Sequence, residues 1–370
     1  MNFDFDDEQY SFRESLARFL GETFPLDKHE KLAGAGRDHA GYWSGLAELG
    51  LFCLLVPEAQ DGIGLSPLDL ALPAEELGKA IAPLSIVDTL VATDLIARYG
   101  TEAQKAKYLP GIATGELRAA IALLEADTGY DPAGLGAARA VDGKLSGTKI
   151  LVAHAANADL IVVAVKGAIL LLDRETPGLA IAPHSDIDPT SDFCSVTLDG
   201  VTAGADAVLG GAGSDEAVSR LFDVGATLAA GLLIGLAEKV FEVALDYMKT
   251  RVQFDKPIGS FQALKHRSAD IKVNLEGARA GVYYAFWAIA EDAPDRSRAV
   301  SIAKAYAGDI ARLAANEGIQ FHGGMGFTWE LGIHHYLRRV KVLEALYGDA
   351  TFHRERVFAH TLAGLGTQAA

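Results

Sequence analysis

The most informative segment of the sequence reads Arg251-Val252-Gln253-Phe254-Asp255-Lys256-Pro257-Ile258-Gly259-Ser260-Phe261-Gln262. It lies between two runs of helical periodicity. An arginine at the C-terminus of a helix is stabilised by the helix dipole, and its forked guanidinium can also bind a phosphate. Phe254 and Phe261 offer flat apolar faces, and Gln262 can donate and accept hydrogen bonds. The residues alone leave two interpretations open: a helix hairpin with a capping arginine and core aromatics, or a site for a phosphate-containing ligand.

A glycine-rich segment further along the chain reads Gln320-Phe321-His322-Gly323-Gly324-Met325-Gly326-Phe327-Thr328-Trp329-Glu330. Clustered glycines let backbone N–H groups approach a ligand closely, because no Cβ is in the way. The alternative is a helix terminus with a glycine-rich turn. His334 and His335 follow without metal-ligand spacing to a carboxylate, so no metal site is predicted.

Along the whole chain, the sequence predicts helices, then strands, then helices. Apolar residues recur with helical spacing up to about residue 116 and again from residue 215, whereas Phe193–Leu198 alternate with strand spacing. Most links between the central strands are too short for crossover helices, which favours a mainly antiparallel sheet or barrel. We predict an α+β fold with an N-terminal α-helical domain (1–116), a middle antiparallel β domain (117–211) and a C-terminal four-helix-bundle domain (212–370).

The composition excludes several classes of protein. The 370 residues include 33 Lys and Arg against 49 Asp and Glu, a net charge of −16, which argues against nucleic acid as a partner. Cys53 and Cys194 are too few for a disulfide framework. The acidic start has no secretory signal pattern, and the longest apolar stretch, 225–237, is shorter than the roughly 20 residues that cross a bilayer. We predict a cytoplasmic globular protein with no membrane partner.

Taken together, the two segments resemble the acyl-CoA dehydrogenase family of flavoproteins. The pattern Arg-x-x-Phe-x-Lys-Pro-Ile-x-x-Phe-Gln matches residues 251–262, and Gln-x-x-Gly-Gly-x-Gly-Phe matches residues 320–327. The helix–strand–helix order matches as well. The resemblance implies FAD held across a subunit interface, an acyl-CoA substrate, a homo- or hetero-oligomer, and an electron-transfer flavoprotein as electron acceptor.

The resemblance also implies roles for individual residues. Arg251 would contact the FAD pyrophosphate of the neighbouring subunit, and Phe254 and Gln262 would line the same adenine-dinucleotide half. Gln320, Gly323 and Gly324 would cradle this half from the partner chain. The family's reaction removes the α-proton of an acyl-CoA thioester while the β-hydrogen leaves as hydride to the flavin. It needs a carboxylate base, hydrogen bonds to the thioester carbonyl and a dry cavity.

The chain departs from the family at the base. The family's Tyr-Glu-Gly-Thr motif reads Tyr347-Gly348-Asp349-Ala350 followed by Thr351, so a glycine stands at the Glu position. Asp349, one residue on, is the candidate base, or alternatively the N-cap of the following helix. A second base position used by some members aligns near Gly225, with Asp223 close by. His353 is expected on a charged, solvated helix face.

Other departures fall on the isoalloxazine side. The family's Thr-Glu-Pro-x-x-Gly-Ser-Asp loop reads Leu-Glu-Ala-Asp-Thr-Gly-Tyr-Asp at 124–131, and its Trp-Ile-Thr reads Leu-Val-Ala at 151–153. The Thr-x-Gln after the base is also lost, since Ala350 and Phe352 stand there. Glu125 and Asp127 would line the acyl pocket or lie in a surface turn. The nucleotide side, by contrast, is intact.

Three hypotheses follow from this asymmetry. In the first, the chain is the partner subunit of a heteromeric enzyme that carries half the usual FAD, like bacterial members that act on steroid side-chain CoA esters. In the second, it is a catalytically competent homo-oligomer that uses Asp349 as its base. In the third, it is a non-redox acyl-CoA-binding relative resembling a sulfinopropionyl-CoA desulfinase, in which Arg98 would be the arginine of interest.

Overall fold

Helices lie on both sides of a segment of strands along the chain, as the sequence predicts. The computed structural model describes residues 5–25, 40–126, 128–130, 135, 139–141, 144–188 and 190–368. The α-helices in these ranges are α1 (Asp7–Thr23), α2 (Ala40–Glu48), α3 (Ala71–Lys79), α4 (Leu84–Tyr99), α5 (Glu102–Ala113), α6 (Asp215–Thr250), α7 (Gln262–Ala290), α8 (Arg296–His322), α9 (His334–Ala345) and α10 (Ala350–Gln368). The strands are β1 (Ala119–Ala122), β2 (Arg139–Val141), β3 (Lys144–Ala153), β4 (Leu160–Val165), β5 (Ala168–Asp173), β6 (Leu179–Pro183), β7 (Phe193–Thr202), β8 (Val252–Gln253) and β9 (Lys256–Pro257).

The central strands form two sheets rather than one. The first sheet has the order β1-β4-β5 and the second has the order β2-β3-β7-β6. Every pair in them is antiparallel except β1 with β4, which run parallel with Ala119 opposite Leu160. The pairing is thus mainly antiparallel, as predicted. The parallel pair is the exception, because β2 and β3 lie between its two strands and give the chain enough length to cross over.

The two sheets share one apolar core. Along each strand only alternate side chains reach the core, as the two-residue period of a strand requires. The core takes Ile161 and Val163 from β4 in the first sheet, and Val196 and Leu198 from β7 in the second.

The chain divides into two compact units. One contains Met1–Gly34, Leu68–Ala82 and Ala226–Ala370, and the other contains Ala35–Pro67 and Pro83–Gly225. The division at residues 225 and 226 falls inside α6. The three-domain boundaries stay a prediction. Within the described ranges, no helix is both long and apolar enough to cross a membrane.

In the first unit, helices α3 and α6 approach each other at glycines. A Cβ added to Gly235 of α6 would lie 1.9 Å from the carbonyl oxygen of Glu75, and one added to Gly78 of α3 would lie 2.2 Å from that of Leu232. The backbones therefore touch directly at both positions. Arg279 of α7 joins the two helices, because its guanidinium pairs with Glu75 of α3 (3.1 Å) and with Glu238 of α6.

Candidate functional site

Arg251 follows α6 directly, at the entrance to the β8–β9 hairpin. The hairpin turns at Phe254 and Asp255, whose φ angles are 54° and 62°, the combination that a type I′ turn requires. A bulky aromatic residue is strained in this region, and such strain clusters at functional sites. The turn leaves 84% of Phe254 exposed. The ring is therefore not a core residue, contrary to the helix-hairpin interpretation.

The polar side chains of this segment also face solvent. Arg251 and Gln262 are exposed, and the carbonyl oxygen of Arg251 accepts a hydrogen bond from the N–H of Ile258 (2.9 Å). The Phe261 ring meets the edge of Phe254 at a centroid distance of 6.1 Å and lies 4.4 Å from the Lys256 ammonium. A guanidinium, an amide and an aromatic face are thus presented together.

The glycine segment begins where α8 ends. Gly323 has a φ of 58° and a ψ of −134°, a conformation that is costly for residues with a Cβ. A Cβ added to Gly323 or Gly324 would meet nothing within 4 Å, whereas one added to Gly326 would lie 2.4 Å from the carbonyl oxygen of Ile319. Gly326 therefore serves packing on α8, and the first two glycines leave open backbone beside the exposed Gln320.

The arginine segment follows the C-terminus of α6, and the glycine segment follows the C-terminus of α8. The structure brings these two helix ends together. Tyr247, one turn before Arg251, packs against His322, the residue before Gly323, with ring centroids 4.4 Å apart. The His322 ring is held in place because its Nδ1–H donates to the carbonyl oxygen of Gly318 (2.7 Å). Two segments that are distant in sequence therefore occupy one surface of the first unit.

Asp349, the candidate base, lies in the turn between α9 and α10. We call Tyr347–Asp349 the base turn. The Oδ1 atom of Asp349 accepts a hydrogen bond from the N–H of Phe352 (2.8 Å) and so caps the N-terminus of α10. The structure thus gives the half-buried carboxylate the capping role that the sequence left as an alternative; its catalytic role stays a prediction.

Gly348, at the family's Glu position, is crowded. Its φ is 98°, and an added Cβ would lie 2.7 Å from Cδ1 of Phe352 and 2.9 Å from Nε2 of His353. Both distances are shorter than any van der Waals contact. The base turn of this chain therefore has no room for a side chain at this position.

Two buried basic residues donate hydrogen bonds to the backbone of the base turn. Lys304 of α8 donates to the carbonyl oxygens of Gly348 (2.9 Å) and Glu344 (3.2 Å), and burial lowers the pKa of Lys304 to about 7. His353 is fully buried, and its Nε2–H donates to the carbonyl oxygen of Tyr347 (2.9 Å). Burial, together with the nearby Lys304, lowers the pKa of His353 to about 3. The expectation of a solvated His353 is wrong.

In the second unit, the segments that correspond to the family's isoalloxazine contacts come together. The N–H of Ile150 donates to the carbonyl oxygen of Leu124 (2.9 Å), which places the 124 segment beside the end of β3. Leu124, Val152 and Ala153 are buried, and Leu151 is partly exposed at a φ of 53°. None of these side chains can donate a hydrogen bond.

Glu125 does not lie in a surface turn. It is buried and forms an ion pair with Lys149 of β3, and the Lys149 ammonium also donates to the carbonyl oxygen of Leu123 (3.3 Å). Burial lowers the pKa of Lys149, and the Glu125 carboxylate opposes that effect. Sequence reasoning missed Lys149, whose only signal is a lysine in an otherwise strand-like run. Asp127 and Asp131 lie outside the described residues.

The remaining candidates lie in helices of the second unit. Asp223 is fully buried in α6, one turn after Arg220, whose guanidinium pairs with Asp94 through two bonds of 2.7 and 2.8 Å. Arg98 is exposed in the last turn of α4, with its guanidinium 5.6 Å from the Tyr99 ring. No described group of three or more His, Cys, Asp or Glu has the arrangement of a metal site.

Models of one protein family match both helical parts of the chain. The acyl-CoA dehydrogenase N-terminal domain matches residues 6–116, and the acyl-CoA dehydrogenase C-terminal domain matches residues 211–362. The chain belongs to the acyl-CoA dehydrogenase family. The predicted family resemblance and the predicted fold are therefore confirmed.

Individual acyl-CoA dehydrogenases resemble the chain over nearly its whole length. The probable acyl-CoA dehydrogenase YngJ of Bacillus subtilis is 30% identical, over 96% of this chain and 98% of that protein. The butyryl-CoA dehydrogenase of Megasphaera elsdenii has a TM-score of 0.90 at 27% identity and covers 98% of this chain and 100% of its own. A steroid ACAD named as the pair Tcur3481-Tcur3483 has a TM-score of 0.89 at 28% identity, over 97% and 99%.

FAD is present in a further structural relative. The structure of PigA with FAD and proline has a TM-score of 0.88 at 25% identity and covers 98% of this chain and 99% of its own.

Proposed function

We propose that the chain is a subunit of an FAD-dependent acyl-CoA dehydrogenase, and that it serves as the partner subunit of a heteromeric enzyme whose other subunit supplies the catalytic carboxylate. One observation carries the second part: Gly348 is closed off by Phe352 and His353, and Asp349 is occupied as a helix cap. The carboxylate of the base turn is thus used as a helix cap through Oδ1, which supports a base supplied by another subunit.

The residues of the first unit fit the nucleotide half of FAD. Gly323 and Gly324 leave open backbone, as a cradle for a bound group does. The exposed Arg251 would pair with the pyrophosphate, since a guanidinium binds phosphate oxygens in a fork. Gln262 and Gln320 would add amide hydrogen bonds, and the Phe254 ring would pack on the same half.

The residues of the second unit fit the ring half poorly. Leu124, Leu151 and Ala153 offer only apolar side chains where the family has a hydroxyl, an indole and a second hydroxyl. FAD supplies the hydride acceptor for oxidation of the bond between the α- and β-carbons of an acyl-CoA thioester. We infer that this chain contributes nucleotide-binding residues to a shared site and that an electron-transfer flavoprotein accepts the electrons.

The likeness to the Tcur3481-Tcur3483 steroid ACAD supports a two-component enzyme. A subunit can lose its own base and ring contacts and still contribute to a site shared with a second chain, because each chain supplies a different part. A bulky acyl group, such as a steroid side chain, is the substrate class that this relative suggests.

The test is the FAD content of the purified protein. We expect the chain expressed alone to bind little FAD, and co-expression with a neighbouring gene of the same family to give a complex with one FAD per pair of chains. The ratio is read from flavin absorbance against protein concentration. A homo-oligomer of this chain with one FAD per subunit would overturn the partner-subunit role, as would failure of every such neighbour to form a complex.

The same preparation tests the competing homo-oligomer that uses Asp349 as its base. Asp349→Asn keeps the N-cap, because asparagine caps as well as aspartate, but cannot accept a proton. We expect undiminished oxidation of whichever acyl-CoA the wild-type preparation oxidises fastest, measured with an artificial electron acceptor. Asp349→Ala is the control for the cap and costs about 1 kcal/mol of stability. A large loss of activity in Asp349→Asn alone would make Asp349 the base.

A further inference from the structure

We propose that Gly348 and Phe352 are a complementary pair, in which the Phe352 ring fills the space that any side chain at position 348 would need. The inference goes beyond the proposed function, because it holds whether the chain works with a partner or alone. Its consequence is that substitution of Gly348 by an acid cannot by itself restore a base to this turn.

The crowding comes from two directions. A Cβ on Gly348 would lie 2.7 and 3.2 Å from two carbons of the Phe352 ring and 2.9 Å from Nε2 of His353. Carbon atoms attract one another at about 3.5–4.0 Å and repel strongly at these shorter distances. The two rings also meet each other edge to face at a centroid distance of 5.4 Å. A side chain at position 348 would therefore have to displace at least one of them.

The base turn is held at each of its residues, which opposes a shift that would make room. His353 donates to the carbonyl oxygen of Tyr347 (2.9 Å), Lys304 donates to that of Gly348 (2.9 Å), and Asp349 caps α10. His353 is also fully buried. Relief must come from Phe352, which is half-buried and limited to few rotamers by its position on a helix.

Two departures from the family sequence therefore lie in contact in the structure. The family has Glu where this chain has Gly348, and Gln where it has Phe352. In this chain the Phe352 ring lies 2.7 Å from the place where a Cβ at the first position would stand. The pairing gives a physical reason for finding both changes in one chain.

A double-mutant cycle tests the pair in the full-length protein. Gly348→Ala is made in the wild-type and in the Phe352→Ala backgrounds, and the folding equilibrium constant is measured by urea unfolding. The φ of 98° strains an alanine equally in both backgrounds, so this cost cancels in the cycle. We expect Gly348→Ala to lower the constant about tenfold more in the wild-type background, because only there does the Cβ meet the ring.

Phe358→Ala provides the matched control. It removes the same side chain from the same helix, but Phe358 is 65% exposed, so Gly348→Ala should cost the same with and without it. Equal costs of Gly348→Ala in the wild-type and Phe352→Ala backgrounds would overturn the proposal. This result does not depend on FAD content, so the pair and the partner-subunit role fail separately.

Discussion

His353 is a buried histidine whose protonation should oppose folding. Its pKa is lowered from 6.5 to about 3, so between these values the unfolded chain binds a proton that the folded chain does not. The stability due to the neutral ring is therefore present above pH 6.5 and is lost as the pH falls towards 3. The loss is about 1.4 kcal/mol for each pH unit between these values.

His353→Gln tests this dependence. The Gln amide can donate to the carbonyl oxygen of Tyr347 as Nε2–H does, but it does not titrate. We expect the variant to be less stable than the wild type at pH 7, because the ring packing is lost, and the difference to shrink or reverse as the pH falls to 4. The measurement is urea unfolding across this range. Parallel pH curves would contradict the expectation.

The residues of the base turn mark what the sequence could and could not reveal. The sequence located the turn and offered capping as an alternative role for Asp349, since an aspartate before a helix is a common N-cap. It placed His353 in solvent because charged residues follow it in the chain. The burial of His353 and Lys304 depends on how α8 and α10 pack, which no local pattern records.

Among the elements, the close contact of α3 with α6 should tolerate no added methyl group. Gly235→Ala would place a Cβ 1.9 Å from the carbonyl oxygen of Glu75, and backbone cannot yield as a flexible side chain does. We expect a loss of about 2–4 kcal/mol in the free energy of unfolding. Chemical denaturation at 25 °C measures it.

Gly281→Ala is the matched control, because Gly281 also lies within a helix, α7, and an added Cβ meets nothing within 4 Å. Alanine is the better helix former, so this variant should gain about 0.5–1 kcal/mol. Equal effects of the two substitutions would mean that α3 and α6 separate easily.

For the secondary-structure elements, the sequence predicted the positions of helices and strands better than it predicted which strands pair. Alternation identified β7, which begins at Phe193, the first residue of the alternating run. The parallel pairing of β1 with β4 was missed, because short links between neighbouring strands say nothing about strands that are not neighbours. The ion pair of Glu125 with Lys149 was missed as well, because these residues are distant in the sequence and no local pattern pairs them.

For the whole molecule, the proposed contribution of Arg251 to FAD binding is testable without affecting the fold. Arg251 is exposed after the end of α6, so Arg251→Ala should leave thermal unfolding of the FAD-free protein unchanged. We expect the FAD content of the assembled enzyme to fall at least about tenfold, because a charge-assisted, forked contact is lost.

Lys249→Ala is the control for charge. It removes a positive side chain two residues earlier, from an exposed pair with Asp246, and should leave the FAD content as in the wild type. If both variants lost FAD equally, general charge rather than a specific contact of Arg251 would explain binding.

The parallel pair of β1 and β4 has a consequence for how the protein emerges during synthesis. β1 ends at Ala122 and its partner begins at Leu160, so the ribosome must deliver the whole β2–β3 segment before β1 can find its neighbour. Until then the apolar strand Ala-Ala-Ile-Ala has no backbone partner on the edge that will face β4. Its shortness limits the danger of aggregation during that interval, since four residues make a poor template for a foreign strand.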